Sequence, residues 1–174
     1  LMATPRALIM LRASMPGNAD RILTGVSRSL SLQTAQTGNF MTFFYCEIME
    51  RGSEIRWVRA GHDPALVYDP STDAFDELKG RGLALGLEDS FEYNSFHRRL
   101  EPGQVIMIGT DGIWEMHNKA GDMFGKEALM EIIRNNHTAP ARQIVDTVIE
   151  TLDRFREDKA QEDDITLVAI KVDH

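Results

Sequence analysis

The chain has 174 residues, 43% hydrophobic and 26% charged, which is ordinary for a globular domain with its own core. The net charge of −8, without a lysine- and arginine-rich block, argues against a nucleic-acid surface, and no apolar run could span a bilayer. Cys46 is the only cysteine, so an intrachain disulfide is excluded, and a reducing, cytoplasmic location is expected.

The first elements in chain order are two predicted helices. Residues 1 to about 14 have the apolar spacing of a helix that is already under way at the first residue. Pro16-Gly17-Asn18 breaks this helix, and Asn18 is a candidate N-cap for the next one. The second helix has one apolar face, made of Ile22, Leu23, Val26 and Leu30. Because the chain opens inside a helix and not on Met, we expect a fragment of a larger domain.

Strand patterns follow, and helices return in the last third. The predicted strands are the ranges 40–49, 54–60, 64–69, 74–78, 91–100, 104–110 and 165–172. The first four of these form two predicted hairpins, and helices are predicted at 127–136 and at about 139–155. Since no repeat or linker interrupts this order, we expect one α+β domain over residues 1–174.

Two acidic sites lie at the ends of predicted buried strands. Asp111 and Gly112 follow one strand, and Asp163 and Asp164 precede the last one. Taken alone, Asp111 is more often a turn acid before a short helix at 113–117, and the later run is more often a solvated loop. If the strands are neighbours, however, Asp111 and Asp163 converge and require a shared cation or proton. Oxygen ligands without a His or Cys cluster favour Mg²⁺ or Mn²⁺ over Zn²⁺.

Three short motifs occur together in this chain: AGHDP (60–64), GTDGIWE (109–115) and EDDITLV (162–168). Their order and spacing resemble those of the metal-dependent PPM (type 2C) protein phosphatases, in the SpoIIE/RsbU-like bacterial branch. The resemblance runs from residue 1 to about 172. It implies a PPM-type β-sandwich flanked by helices, with two Mn²⁺ or Mg²⁺ ions at one edge, held mainly by aspartates and water.

The resemblance also implies roles for individual residues. Asp111 matches the Asp-Gly metal ligand of the family, so Asp111 and Gly112 are both assigned to the metal site, and Asp163 matches the late aspartate ligand. Asp164 stands where the broader family usually has Asn, so a supporting role is expected for it. No side chain is expected to act as a nucleophile, because in this family a metal-bound water attacks phosphorus.

The AGHDP motif offers a histidine and a glycine. His62 is a candidate general acid, but we favour a structural role in which the imidazole binds the backbone and fixes a turn. Gly61 is expected to supply a backbone shape that a side chain would not allow.

One family motif is not found in this sequence: a Gly-Asp-Val-like turn followed by Gly-His-Gly, whose Asp bridges both metals. We therefore expect the chain to be the C-terminal portion of such a domain, without the first strands and inactive on its own. The resemblance implies a parent protein that dephosphorylates phosphoserine or phosphothreonine on a regulatory protein of the STAS, anti-anti-sigma type. An N-terminal sensor or receiver domain is expected in that parent.

Two alternatives remain: a non-catalytic partner-binding module of the same fold, and a simple domain that binds divalent cations. The apolar surfaces of the two N-terminal helices also predict a homodimer through residues 1–35.

Overall fold

The computed structural model describes residues 18–34, 38–49 and 52–173, and the predicted helix over 1–14 lies outside these ranges. The described helices are α1 (Ala19–Thr34), α2 (Gly125–Asn136) and α3 (Ala141–Arg156). The described strands are β1 (Phe43–Met49), β2 (Glu54–Ala60), β3 (Ala65–Asp69), β4 (Ala74–Leu78), β5 (Phe96–Arg99), β6 (Val105–Gly109) and β7 (Leu167–Lys171). None of these helices is long and apolar enough to cross a membrane.

The chain divides into two compact units. The first combines the chain up to Pro64 with Lys79–Arg99, and the second combines Ala65–Leu78 with the chain from Leu100 onward. The assignment of residues 1–174 to one domain stays a prediction.

The first unit is a three-stranded antiparallel sheet, in the order β1-β2-β5, together with α1. Strand β2 covers the predicted range 54–60. The predicted strand over 91–100 is shorter, because only Phe96–Arg99 pairs with β2. Tyr93 makes other bonds: its amide donates to the Thr24 hydroxyl (3.1 Å) and its own hydroxyl donates to the Leu83 carbonyl (2.7 Å).

The apolar face of α1 is buried within its own unit. Leu23, Val26 and Leu30 are buried together with Val58 and Leu85. That part of the predicted dimer surface is therefore not available to a second chain, because the helix uses it to cover its own core. Residues 1–17 lie outside the described ranges, so the homodimer stays a prediction.

The second unit is a four-stranded antiparallel sheet, in the order β4-β3-β6-β7, together with α2 and α3. The two helices contribute amphipathic faces to its core, with the buried residues Leu129, Ile133, Ile144, Val148 and Leu152. These pack with Val105 and Met107 of β6, so the strand that leads to Asp111 is anchored in the core.

Asp73, in the β3–β4 turn, links that hairpin to α2. It accepts hydrogen bonds from Arg134 Nε (2.8 Å) and from the Tyr68 hydroxyl (3.0 Å). The Arg134 bond is the largest cause that lowers the pKa of Asp73, and the Tyr68 bond is the next. Because its pKa is lowered on folding, Asp73 stabilises the folded state at pH values above the ordinary carboxyl pKa. This stabilisation is lost as pH falls through the folded-state pKa.

We expect Asp73→Asn to reduce stability at neutral pH and to make the acid-side decrease in stability shallower, because asparagine does not titrate. Urea unfolding between pH 2 and 7 (a range that spans roughly the carboxyl titration) measures both effects. The matched control is Asp173→Asn, at an exposed acid of the same unit. Identical pH profiles for Asp73→Asn and the parent chain would contradict the role of this contact.

Candidate metal centre

The two predicted acidic sites lie at the same edge of the second unit's sheet. Strands β6 and β7 are antiparallel neighbours, and the last residue of β6, Gly109, pairs with the first residue of β7, Leu167. Asp111 comes just after β6, and Asp163 comes shortly before β7. The two acidic sites could converge only if these strands were neighbours, and they are.

Thr110 ties the two segments together. Its amide donates to the Thr166 carbonyl (3.1 Å), and its hydroxyl accepts the Thr166 amide (3.0 Å). The same hydroxyl donates to the Asp164 carbonyl (3.1 Å). One side chain therefore fixes the loop before β7 against the turn after β6. No local pattern indicates this role, although threonines stand in both motifs.

Gly112 brings the two segments into direct contact. A Cβ atom at this position would lie 2.6 Å from the Asp164 carbonyl oxygen and 3.5 Å from the Cβ of Asp163. Any side chain would meet the backbone of the opposing loop, so only glycine permits this approach. The close approach places the base of the Asp163 side chain beside the Asp111-Gly112 turn.

Both aspartates keep a carboxylate at the surface. Asp111 Oδ1 accepts a hydrogen bond from the Gly112 amide (3.1 Å), and Asp163 Oδ1 accepts one from the Asp164 amide (2.7 Å). Both side chains are exposed, and within the described ranges neither has a basic partner. Each carboxylate therefore retains an oxygen that can ligate a cation.

The neighbouring Glu162 is different, because its carboxylate already has side-chain partners. Its carboxylate lies 2.9 Å from Lys159 Nζ and 3.4 Å from His117 Nδ1. The hydrogen bond from Lys159 is the largest cause that lowers the pKa of Glu162, and His117 contributes less. Within the acidic run, Asp163 is thus the better candidate ligand.

The donor chemistry fits a hard cation, since carboxylate oxygens are the ligands that Mg²⁺ and Mn²⁺ prefer. The ligand count does not complete a site. Across residues 18–34, 38–49 and 52–173, no group of three or more His, Cys, Asp or Glu side chains is placed to hold an ion. Asp111 and Asp163 would therefore supply only part of a coordination sphere.

The segment after Asp111 is a single helical turn and not the short helix considered for 113–117. The Glu115 amide donates to the Asp111 carbonyl (2.8 Å), but the pattern stops there. The carbonyls of Trp114 and Met116 accept the amides of Gly125 and Phe124 instead. The amides at 124 and 125 therefore occupy carbonyls that would accept hydrogen bonds within a longer helix.

Gly61 and His62 lie in the first unit, so the structure does not relate them to the aspartates. His62 Nδ1 makes the expected hydrogen bond to a backbone carbonyl, that of Asp63 (2.8 Å). Gly61 has a φ of 73°, and a Cβ there would lie 2.9 Å from Ala84. These contacts explain a structural need for both residues, and any part in the site stays a prediction.

A cavity of about 210 Å³ adjoins the candidate ligands. Gly112 and Asp163 form one side of it, and Met116, Met123 and Arg156 form part of the rest. Its walls come from distant parts of the sequence, which explains why no local motif indicates it.

Comparison with known proteins identifies the family. The family model described as Stage II sporulation protein E (SpoIIE) matches residues 2–173. Phosphoserine phosphatase RsbU of Bacillus subtilis (strain 168) is 25% identical over 152 residues, which cover 87% of this chain and 44% of RsbU. The chain therefore spans less than half the length of that relative.

Solved structures show the same fold. The SiaA-PP2C domain of Pseudomonas aeruginosa matches with a TM-score of 0.82 at 21% identity, covering 98% of this chain and 68% of that one. The phosphatase domain of SpoIIE from Bacillus subtilis, in a manganese-presoaked structure, matches with a TM-score of 0.63 at 16% identity, covering 98% and 74%. The predicted α+β class is confirmed, the fold matches that of PP2C phosphatase domains, and the chain belongs to the SpoIIE family.

Proposed function

We propose that this chain carries part of the active site of a metal-dependent protein serine/threonine phosphatase. The observation that supports this most is the contact between the Asp111-Gly112 turn and the Asp163 loop. It holds two exposed carboxylates at the edge of one sheet, in a chain that belongs to a phosphatase family.

Each residue of this edge has a distinct part in the proposal. Asp111 and Asp163 hold Mn²⁺ or Mg²⁺, and the SpoIIE structure prepared with manganese supports the choice of ion. Thr110 and Gly112 fix the spacing of the two aspartates, and Asp164 contributes through its carbonyl, which accepts the Thr110 hydroxyl. When bound, such cations lower the pKa of water and neutralise charge on the phosphoryl oxygens.

The substrate in this proposal is phosphoserine or phosphothreonine on a regulatory protein of the STAS, anti-anti-sigma type. RsbU is described as a phosphoserine phosphatase, and this chain aligns with it over 87% of its own length. A parent protein with an N-terminal sensor or receiver domain would control the reaction. The test is phosphate release from a phosphorylated STAS protein and from a phosphoserine peptide, each with and without Mn²⁺.

We expect the isolated 174-residue chain to release almost no phosphate with Mn²⁺. Two acidic ligands at the sheet edge are too few to hold two cations, and the missing charge leaves water unactivated. A longer form with residues N-terminal to Leu1 is expected to turn over p-nitrophenyl phosphate, and that form is the matched comparison. Robust Mn²⁺-dependent turnover by the 174-residue chain would show that its ligand set is complete.

A non-catalytic partner-binding module is the second candidate. The incomplete ligand group within the described residues favours it. In that case the longer form binds a regulatory protein without hydrolysing its phosphoester, and Asp111→Asn leaves the affinity unchanged. Cation binding without phosphoester hydrolysis and without binding of a regulatory protein would indicate the simple cation-binding domain.

A further inference from the structure

The cavity beside Asp163 is large enough for one side chain of a bound protein. Its volume is about 210 Å³, whereas an apolar protein cavity of roughly 150 Å³ can hold a benzene molecule. Because Gly112 and Asp163 line it, anything bound there lies next to the candidate metal ligands. The question is which kind of side chain its lining would accept.

Most charges around the cavity already have partners. Glu162 is paired with Lys159 and His117, as described above. The guanidinium of Arg156 donates to Asp153 Oδ1 (2.9 Å) and to the Lys159 carbonyl (3.2 Å). An acidic guest would share Arg156 with Asp153 and the Lys159 carbonyl, so it would gain little.

The uncharged lining favours an apolar guest, because Gln161 already donates to the Asp163 carbonyl (2.7 Å) and the others with a side chain, Met116, Met123 and Ala160, are apolar. Asp163 is assigned to the cation, and Glu115 is exposed to solvent, where an ion pair contributes little. Met116 is buried, whereas Met123 exposes 55% of its surface and is the most exposed large apolar side chain of the second unit within the described ranges. Methionine is flexible and polarizable, and it adapts to the shape of apolar groups that it contacts.

We propose that this cavity binds an aliphatic side chain of the substrate protein, of the size of leucine or methionine, close to the phosphoserine. This proposal rests on the proposed phosphatase function, because that function places the phosphoserine at Asp111 and Asp163. Because Asp163 lines the cavity, the search covers replacements within three positions of the phosphoserine, about 10 Å of extended chain on either side. The cavity would then select substrates by sequence.

The experiment uses phosphoserine peptides with alanine at every other position. In separate peptides, one alanine within three positions of the phosphoserine is replaced by Leu, Asp or Lys. Binding to the 174-residue chain is followed by NMR of its methyl-labelled methionines. We expect a leucine peptide to shift the Met116 and Met123 methyl signals and to bind about fivefold more tightly than the alanine parent, as partial burial of one leucine predicts.

Two variants make the test specific. Met123→Gln keeps the side-chain length but adds a polar group, and it is expected to abolish the preference for leucine. Val168→Gln makes a similar change at another exposed apolar residue of the same unit, outside the cavity, and is expected to keep the preference. Unchanged signals from the remaining methionines show that each variant is folded.

Three results would overturn the cavity proposal: equal affinity for the leucine and alanine peptides, a preference for lysine or aspartate, or a leucine preference that survives Met123→Gln. Phosphate release from the alanine parent by the longer form reports on the phosphatase function separately. Leucine-dependent shifts without any release would contradict the phosphatase and leave the cavity as a docking pocket. Phosphate release without a preference among peptides would support the phosphatase and contradict the cavity proposal.

Discussion

Asp111→Asn and Asp163→Asn are each expected to lower Mn²⁺-dependent phosphate release by about 100-fold or more, measured in the longer form of the protein. Loss of a residue that only supports a metal ligand already costs about 10- to 100-fold, so loss of a ligand should cost at least as much. Asparagine keeps the shape of the side chain but removes the charge that offsets the cation. Isothermal titration with Mn²⁺ should show weaker binding in parallel.

Asp164→Asn is the matched control, because it changes the same chemical group in the same loop. The proposed contribution of Asp164 is its carbonyl, which accepts the Thr110 hydroxyl and is retained in the variant. We therefore expect the rate of phosphate release to fall by less than about tenfold, the lower end of the range for supporting residues. If Asp164→Asn is as damaging as Asp163→Asn, the assignment of the ligand within this loop is wrong. If all three variants keep full activity, the metal centre lies elsewhere.

Local patterns predicted most of the strands and helices. The alternation in EIRWVRA gives β2 at 54–60, and the apolar run before Asp111 gives β6 at Val105–Gly109. In both segments the pattern of side chains and the burial of the strand agree, so neighbours along the chain carry enough information. The placement of both acids at strand ends followed from the same patterns.

Other features depend on contacts between distant residues, and no local pattern shows them. Residues 91–95 alternate like a strand, yet Tyr93 binds α1 and Leu83 and leaves only Phe96–Arg99 to pair. The Thr110 hydroxyl reaches the loop before β7, more than fifty positions away, which can be known only once β6 and β7 are paired. The cavity is hidden from sequence for the same reason, since its walls meet only in the folded chain.

Gly112→Ala is expected to damage both stability and activity, because the contact that it breaks is the one that joins the two aspartate segments. The added Cβ would lie 2.6 Å from the Asp164 carbonyl oxygen, a backbone atom that cannot rotate away. Relief of the clash requires the turn after β6 and the loop before β7 to separate. Such overpacking costs about 1–3 kcal/mol in the free energy of unfolding, which urea titration measures.

Separation of the two segments should also lower activity well beyond the effect on stability. A displacement of about 1 Å at a reacting centre can cost about 100-fold in rate, and the clash calls for movement on that scale. Gly121→Ala is the matched control: its φ of 88° is unfavourable for alanine, but no atom lies within 4 Å of the added Cβ. That variant should lose about 1 kcal/mol of stability and keep its rate. A fully active Gly112→Ala would mean that the spacing of Asp111 and Asp163 does not govern the reaction.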